Sequence, residues 1–163
     1  MIGTITTEVA CAVTNTPFER VSQYLKRGQV KLEMDAATPR SKGRQWLVMD
    51  VVKLAVLREL TDLGLSVGTA AEFVYNPQLE EKYGIWKALG CTASIMNPGA
   101  PQWFFIVTRD QNGASFQGSN SPQVARDILI PQDEDEPPKS ALVVHCTVIA
   151  RDIRRKLEAI GTA

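Results

Sequence analysis

In the run Thr16-Pro17-Phe18-Glu19-Arg20-Val21-Ser22-Gln23-Tyr24-Leu25-Lys26-Arg27-Gly28, apolar side chains recur three and four residues apart at Phe18, Val21 and Tyr24 or Leu25. That spacing predicts an amphipathic helix with one stripe on a core and Glu19, Arg20, Ser22, Gln23, Lys26 and Arg27 outside. Thr16 suits the N-cap and Pro17 the first helical position, while Gly28 offers a left-handed stop. Upstream, Thr6 to Val13 reads as a brief helix, and Thr14 to Pro17 is a polar break. Two short helices joined by about four residues, the second polar outside, form a helix-turn-helix pattern.

Downstream, Gln29 to Met34 alternates like a half-buried strand, Asp35 to Gly43 is a polar loop, and Arg44 to Val48 resembles a returning strand. The expected result is a hairpin, or wing. Asp50 is the expected N-cap of a helix carrying Val51, Leu54, Ala55, Val56, Leu57, Leu60 and Leu63, and Gly64 ends it. Ser66 then caps a helix over Val67 to Val74.

Formal charge is zero, with 18 basic and 18 acidic side chains, which argues against a polycation that coats nucleic acid or membrane indiscriminately. The balance is uneven along the chain. Between Arg20 and Arg44, the cations Arg20, Lys26, Arg27, Lys31, Arg40, Lys42 and Arg44 stand against only Glu33 and Asp35, so a local basic patch is expected.

The order helix, turn, helix, wing, helix pair resembles the winged helix-turn-helix of the MerR family over roughly the first half of the chain. Glu8-Val9-Ala10 is similar to the family's opening "E-L-A". Tyr24, four residues before Gly28, matches the second tyrosine of "L-R-Y-Y-E-x-x-G-L", and Gly28-Gln29-Val30 resembles "G-L-L". Arg44-Gln45-Trp46 followed by Asp50-Val51-Val52-Lys53-Leu54 is similar to "R-x-Y" followed by "D-V-x-x-L", and Leu63-Gly64-Leu65-Ser66 resembles "L-G-F-S". Ser22 and Gln23 stand where the family commonly has the arginine and first tyrosine of "L-R-Y-Y". Asn76-Pro77 interrupts the chain where the family carries a long dimerisation helix.

The resemblance implies sequence-specific binding of double-stranded DNA by a homodimer, with the second helix in the major groove, the wing on the flanking backbone, and transcription control as the outcome. Side-chain chemistry makes Gln23 a bidentate partner for adenine, Arg20 for guanine, and Ser22 for several bases or a phosphate. Tyr24, Lys26, Arg27, Arg40, Lys42 and Arg44 are assigned to phosphates, which position a duplex without reading it.

Beyond a boundary near residue 76, the chain reads as strand-rich. Glu80 to Leu89 suits a short helix, Trp103 to Val107 a strand, Asp110-Gln111-Asn112-Gly113 a hairpin turn, and Ser115 to Gln117 the return. Ser140 to Ile149 begins as a strand and passes into a helix reaching Ile160. The expected class is therefore α+β: a winged helix-turn-helix domain over residues 1–75 and a small α+β domain over 76–163, for dimerisation or for binding a protein or small-molecule effector. The aromatic cluster Trp86, Trp103, Phe104, Phe105 and Phe116 is read as core. The acidic run Asp133 to Glu136 is read as a solvated loop.

Cys11, Cys91 and Cys146 are odd in number and widely scattered, so three reduced thiols are expected rather than a disulfide framework or a zinc site. His145 stands alone in an apolar run and is read as structural. No nucleophile motif, phosphate loop or paired-acid constellation occurs, so no enzyme, metal or cofactor is expected. The start of the chain lacks the pattern of a secretory signal and no long apolar run is present, so a cytoplasmic protein with no membrane partner is expected. A bacterial or phage-type regulator is the favoured expectation. Its rivals are an architectural DNA-binding protein of the excisionase or packaging type, and an effector-sensing or protein-interaction module.

Overall fold

A computed structural model describes residues 5–33, 44–78, 81, 85–90, 96, 101–110, 113–121, 123 and 140–161. The architecture is mixed α+β. In chain order it runs α1 (Thr7–Thr14), α2 (Phe18–Lys26), α3 (Val48–Asp62), α4 (Val67–Val74), α5 (Ile85–Gly90), β1 (Phe104–Asp110), β2 (Gly113–Ser119), β3 (Ser140–His145) and α6 (Cys146–Ala159).

Local chemistry sets the helix ends. The Thr6 hydroxyl accepts the Val9 N–H at the start of α1, and the Ser66 hydroxyl accepts the Thr69 N–H at the start of α4. Gly28, just beyond α2, has φ +67°, and Gly64, just beyond α3, has φ +101°. Both take the left-handed conformation that stops a helix cheaply only at glycine.

Asp50 departs from its expected role as N-cap. Leu47 takes that position, and Asp50 lies three residues inside α3 with its carboxylate turned back to accept the Leu47 N–H at 3.0 Å and the Glu33 N–H at 3.3 Å. One acid thus closes the start of α3 and holds the end of the 29–33 segment. Burial pushes its carboxyl above the usual range, against the opposing pull of those two backbone N–H groups.

The expected hairpin partner also differs. Among the described residues 29–33 carry no strand, and Trp46 instead bridges Ile5, each donating its N–H to the other's carbonyl at 2.9 and 3.2 Å. The alternation itself is real, since Val30 and Leu32 are buried while Lys31 and Glu33 are exposed. Its backbone donors find other partners: Gln29 and Val30 donate to the Tyr24 carbonyl, and Glu33 to Asp50. The loop expected over residues 35–43 lies outside the described residues.

α3 is the hub. Val51, Val52, Leu54, Val56, Leu57 and Leu60 are fully buried, because α1, α4, α5 and α6 all pack around it. Truncating any one of its leucines to alanine costs about 2–5 kcal/mol in such a setting. Phe18 leaves the expected core stripe and is 48% exposed. It opens the first turn of α2, about 60° of helical rotation from Val21 and about 120° from Tyr24, at the margin of the buried face.

The three strands form an antiparallel sheet of order β2-β1-β3. β1 and β2 close with Asp110 opposite Gly113, and β1 pairs β3 from Phe104 opposite His145 to Arg109 opposite Ser140. Phe105, Val107 and Val144 join Ala150, Ile153 and Leu157 of α6 in a hydrophobic cluster that runs without a break into α3. His145 stacks on Phe104 with ring centroids 4.5 Å apart and pairs with Gln102 at 2.9 Å. Cys11 and Cys146 are free and buried. Cys91 and the acidic run 133–136 lie outside the described residues.

Among the described residues, no helix is long and apolar enough to cross a membrane, and no group of His, Cys, Asp or Glu could hold a metal ion.

Candidate nucleic-acid interface

The turn between α1 and α2 is short and internally tied. Asn15 takes φ 50°, the Thr16 N–H donates to the Cys11 carbonyl at 3.0 Å, and the buried Thr14 hydroxyl donates to the Ala10 carbonyl at 2.7 Å. The Thr16 hydroxyl, expected to cap α2, lies instead 3.0 Å from that of Thr14. Pro17, with φ −56°, occupies the N-cap position.

From this turn α2 projects with only Val21 and Tyr24 buried. At about 100° per residue, the middle of the face opposite Val21 and Tyr24 falls between Glu19 and Lys26, with Gln23, Arg27 and Arg20 following on one side and Ser22 on the other. Arg20, Gln23, Lys26 and Arg27 are all exposed, whereas Ser22 is half-buried at the margin. Four of the expected contact residues therefore share one outward surface.

Tyr24 does not join them as a surface group. Its ring is in the core and the residue is only 6% exposed, because the same turn of helix that presents Gln23 must seat something against α1 and α3. Burial raises the phenol's pKa, and the adjacent Arg20 guanidinium, hydrogen-bonded to it, opposes that rise. Tyr24 thus braces Arg20 from beneath. Arg44 is exposed, two residues before the buried Trp46, whose indole N–H donates to the Thr7 hydroxyl at 3.1 Å. Arg40 and Lys42 lie outside the described residues.

Two cations bind the back of this unit to the rest of the molecule. Arg58 of α3 donates to the Thr14 carbonyl at 2.6 Å, and Lys156 of α6 donates to the Val13 carbonyl at 3.3 Å. Both satisfy carbonyls at the end of α1, where positive charge is favoured. These braces are invisible to local sequence reading, since the partners lie 44 and 143 residues apart.

Chemically the outer face of α2 offers a planar amide, two guanidinium groups and an ammonium group, together with the carboxylate of Glu19. Such a surface can bind anions and read hydrogen-bond donors and acceptors. Compared with known protein families and with curated protein sequences, the chain matches none.

Proposed function

We propose that the chain is a sequence-specific duplex-DNA-binding transcription regulator of bacterial or phage type, acting as a homodimer through a MerR-like winged helix-turn-helix in its first half. The observation that carries this reading is the outer face of α2: Arg20, Gln23, Lys26 and Arg27 exposed together, on a helix anchored from behind by Val21 and Tyr24. An α-helix fits the major groove, where a glutamine amide matches adenine and a guanidinium matches guanine. Ser22, half-buried at the margin of the face, would meet a phosphate or a base edge. Lys26, Arg27 and Arg44, with Arg40 and Lys42, supply the phosphate contacts that fix the register.

The proposed activity is binding rather than catalysis. Selection of duplexes from a random-sequence pool by the full chain tests it. A two-fold sequence with half-sites about one helical turn, roughly 34 Å, apart is the expected product for a dimer of this type. Failure to enrich any duplex, even at low salt, overturns the reading.

A further inference from the structure

A cavity of about 780 Å³ opens behind the 29–33 segment, with Leu32, Glu33, Met49, Lys53, Tyr75 and Trp86 among its walls. That volume is within the range of small-molecule sites, roughly 300–1,000 Å³. Its charged group is unusual. Lys53 is only 7% exposed, yet among the described residues the salt bridge its ammonium group makes is to Glu33 at 2.9 Å, whose side chain is 48% exposed, with the buried Asp50 carboxylate acting on it electrostatically. The Tyr75 and Trp86 rings lie 5.7 and 5.9 Å from the Lys53 Nζ. Ring faces attract a cation, but they leave unused donors on an ammonium group that carries three. The Tyr75 hydroxyl is also buried and has no hydrogen-bond partner among the described residues.

We infer that this cavity binds a small organic anion with a planar apolar body, its carboxylate taking Glu33's place on Lys53 and its body lying against Leu32, Met49 and Trp86. The sign of the ligand follows from the asymmetry of the ion pair. Glu33 can turn into water when displaced, whereas Lys53 cannot leave and needs a replacement anion. A cationic ligand would strand Lys53, and a neutral one would leave the pair as it is.

The site reaches the proposed DNA-reading helix through its own wall. Gln29 and Val30 hold the Tyr24 carbonyl of α2, and Glu33 is fixed to Asp50 by its backbone. An anion that moves the Glu33 side chain therefore acts on the segment leaving α2. This regulatory part rests on the DNA-binding reading, while the binding part does not.

Calorimetric titration of the full chain with 1-naphthoate and with neutral 1-naphthamide tests the binding part. The expected result is saturable binding of the carboxylate about tenfold or more tighter than of the amide, the least that a charge-assisted hydrogen bond supplies. Lys53→Met should abolish that preference. Glu33→Gln, whose fold is checked by a parallel thermal melt, should tighten 1-naphthoate by removing its competitor. Absence of saturation, equal affinity for both probes, or weaker 1-naphthoate binding in Glu33→Gln overturns the proposal.

With a selected duplex in hand, 1-naphthoate should shift DNA affinity and the duplex should shift 1-naphthoate affinity by the same factor. An unchanged DNA affinity overturns the regulatory part alone. Failure to select any duplex overturns the DNA reading and leaves the titration to stand or fall by itself.

Discussion

The guanidinium of Arg58 donates to the Thr14 carbonyl at 2.6 Å and, through Nε, to Asp62 at 3.1 Å, so one side chain of α3 grips both the end of α1 and its own helix. The turn leading into α2 is held at that point. Arg58→Met should lower stability by about 1–2 kcal/mol, the value of a charge-assisted hydrogen bond discounted for partial exposure. Asp62→Asn removes only an exposed pair one helical turn apart and should cost about 0.3–0.5 kcal/mol. Urea unfolding of the two variants checks the order; an equal loss in both would show that the carbonyl contact contributes nothing beyond the surface pair.

Gly28 has φ +67°, and a Cβ placed on it would meet nothing within 4 Å. Any cost of substitution is therefore backbone strain without steric conflict. Gly28→Ala should destabilise by about 1–2 kcal/mol, and Gly28→Asn by less, since asparagine visits the left-handed region more readily. Thermal melts of the pair would detect this, and equal midpoints for alanine and asparagine would contradict it.

Asp50 supplies a pH dependence of defined sign. Its carboxyl is raised by burial, so between the ordinary carboxylate range and its folded value the native state binds the extra proton. Its contribution is fully present below that window and falls as pH rises through it. Asp50→Asn has no such titration. The stability gap between wild type and Asp50→Asn should thus be wider at pH 4 than at pH 7, as measured by paired urea titrations. A gap that widens toward neutrality would reverse the assigned direction.

How far the residues announce this arrangement depends on the range of the interaction. Ser66, Gly28 and Gly64 mark their helix ends because capping is settled within a few residues. The alternation of Val30 and Leu32 reveals which side chains are buried, but carries no information about which backbone completes their hydrogen bonds. Hence Trp46 meets Ile5 rather than the 29–33 segment. Spacing groups Phe18 with Val21 and Tyr24, yet a stripe does not say which of its members the neighbouring helices cover, and Phe18 stays exposed. The exposed set Arg20, Gln23, Lys26 and Arg27 is legible from helical periodicity. The Lys53 environment is not, because Glu33, Tyr75 and Trp86 arrive from three separate parts of the chain.

Cys146 lies wholly inside the core, and burial pushes its thiol up to about 12. At pH 8 the thiol is protonated and unreactive while it stays buried. Alkylation should therefore wait for opening of the fold. Iodoacetamide treatment followed by peptide mass spectrometry should find Cys146 unmodified in native buffer and modified in urea. Rapid native labelling at pH 8 would be incompatible with the buried thiol.

Charge variants separate reading from positioning on the proposed interface. Arg20 lies on the outer face of α2 beside Gln23, whereas Arg44 follows the 34–43 segment and precedes the buried Trp46. Arg20→Glu or Gln23→Ala should relax preference at one or two base pairs, each lost bidentate contact being worth about 1–3 kcal/mol of discrimination. Arg44→Glu should weaken all duplexes alike and flatten the logarithmic salt dependence by about one unit, as expected for a lost phosphate contact. Arg20 also supports the Tyr24 hydroxyl, so its variant needs a parallel melt to separate loss of recognition from loss of the helix. Competition binding against selected and scrambled duplexes at several salt concentrations gives both readouts at once. If Arg20→Glu and Arg44→Glu weaken selected and scrambled DNA equally, α2 contributes charge without reading bases, and sequence specificity would have to reside elsewhere in the chain.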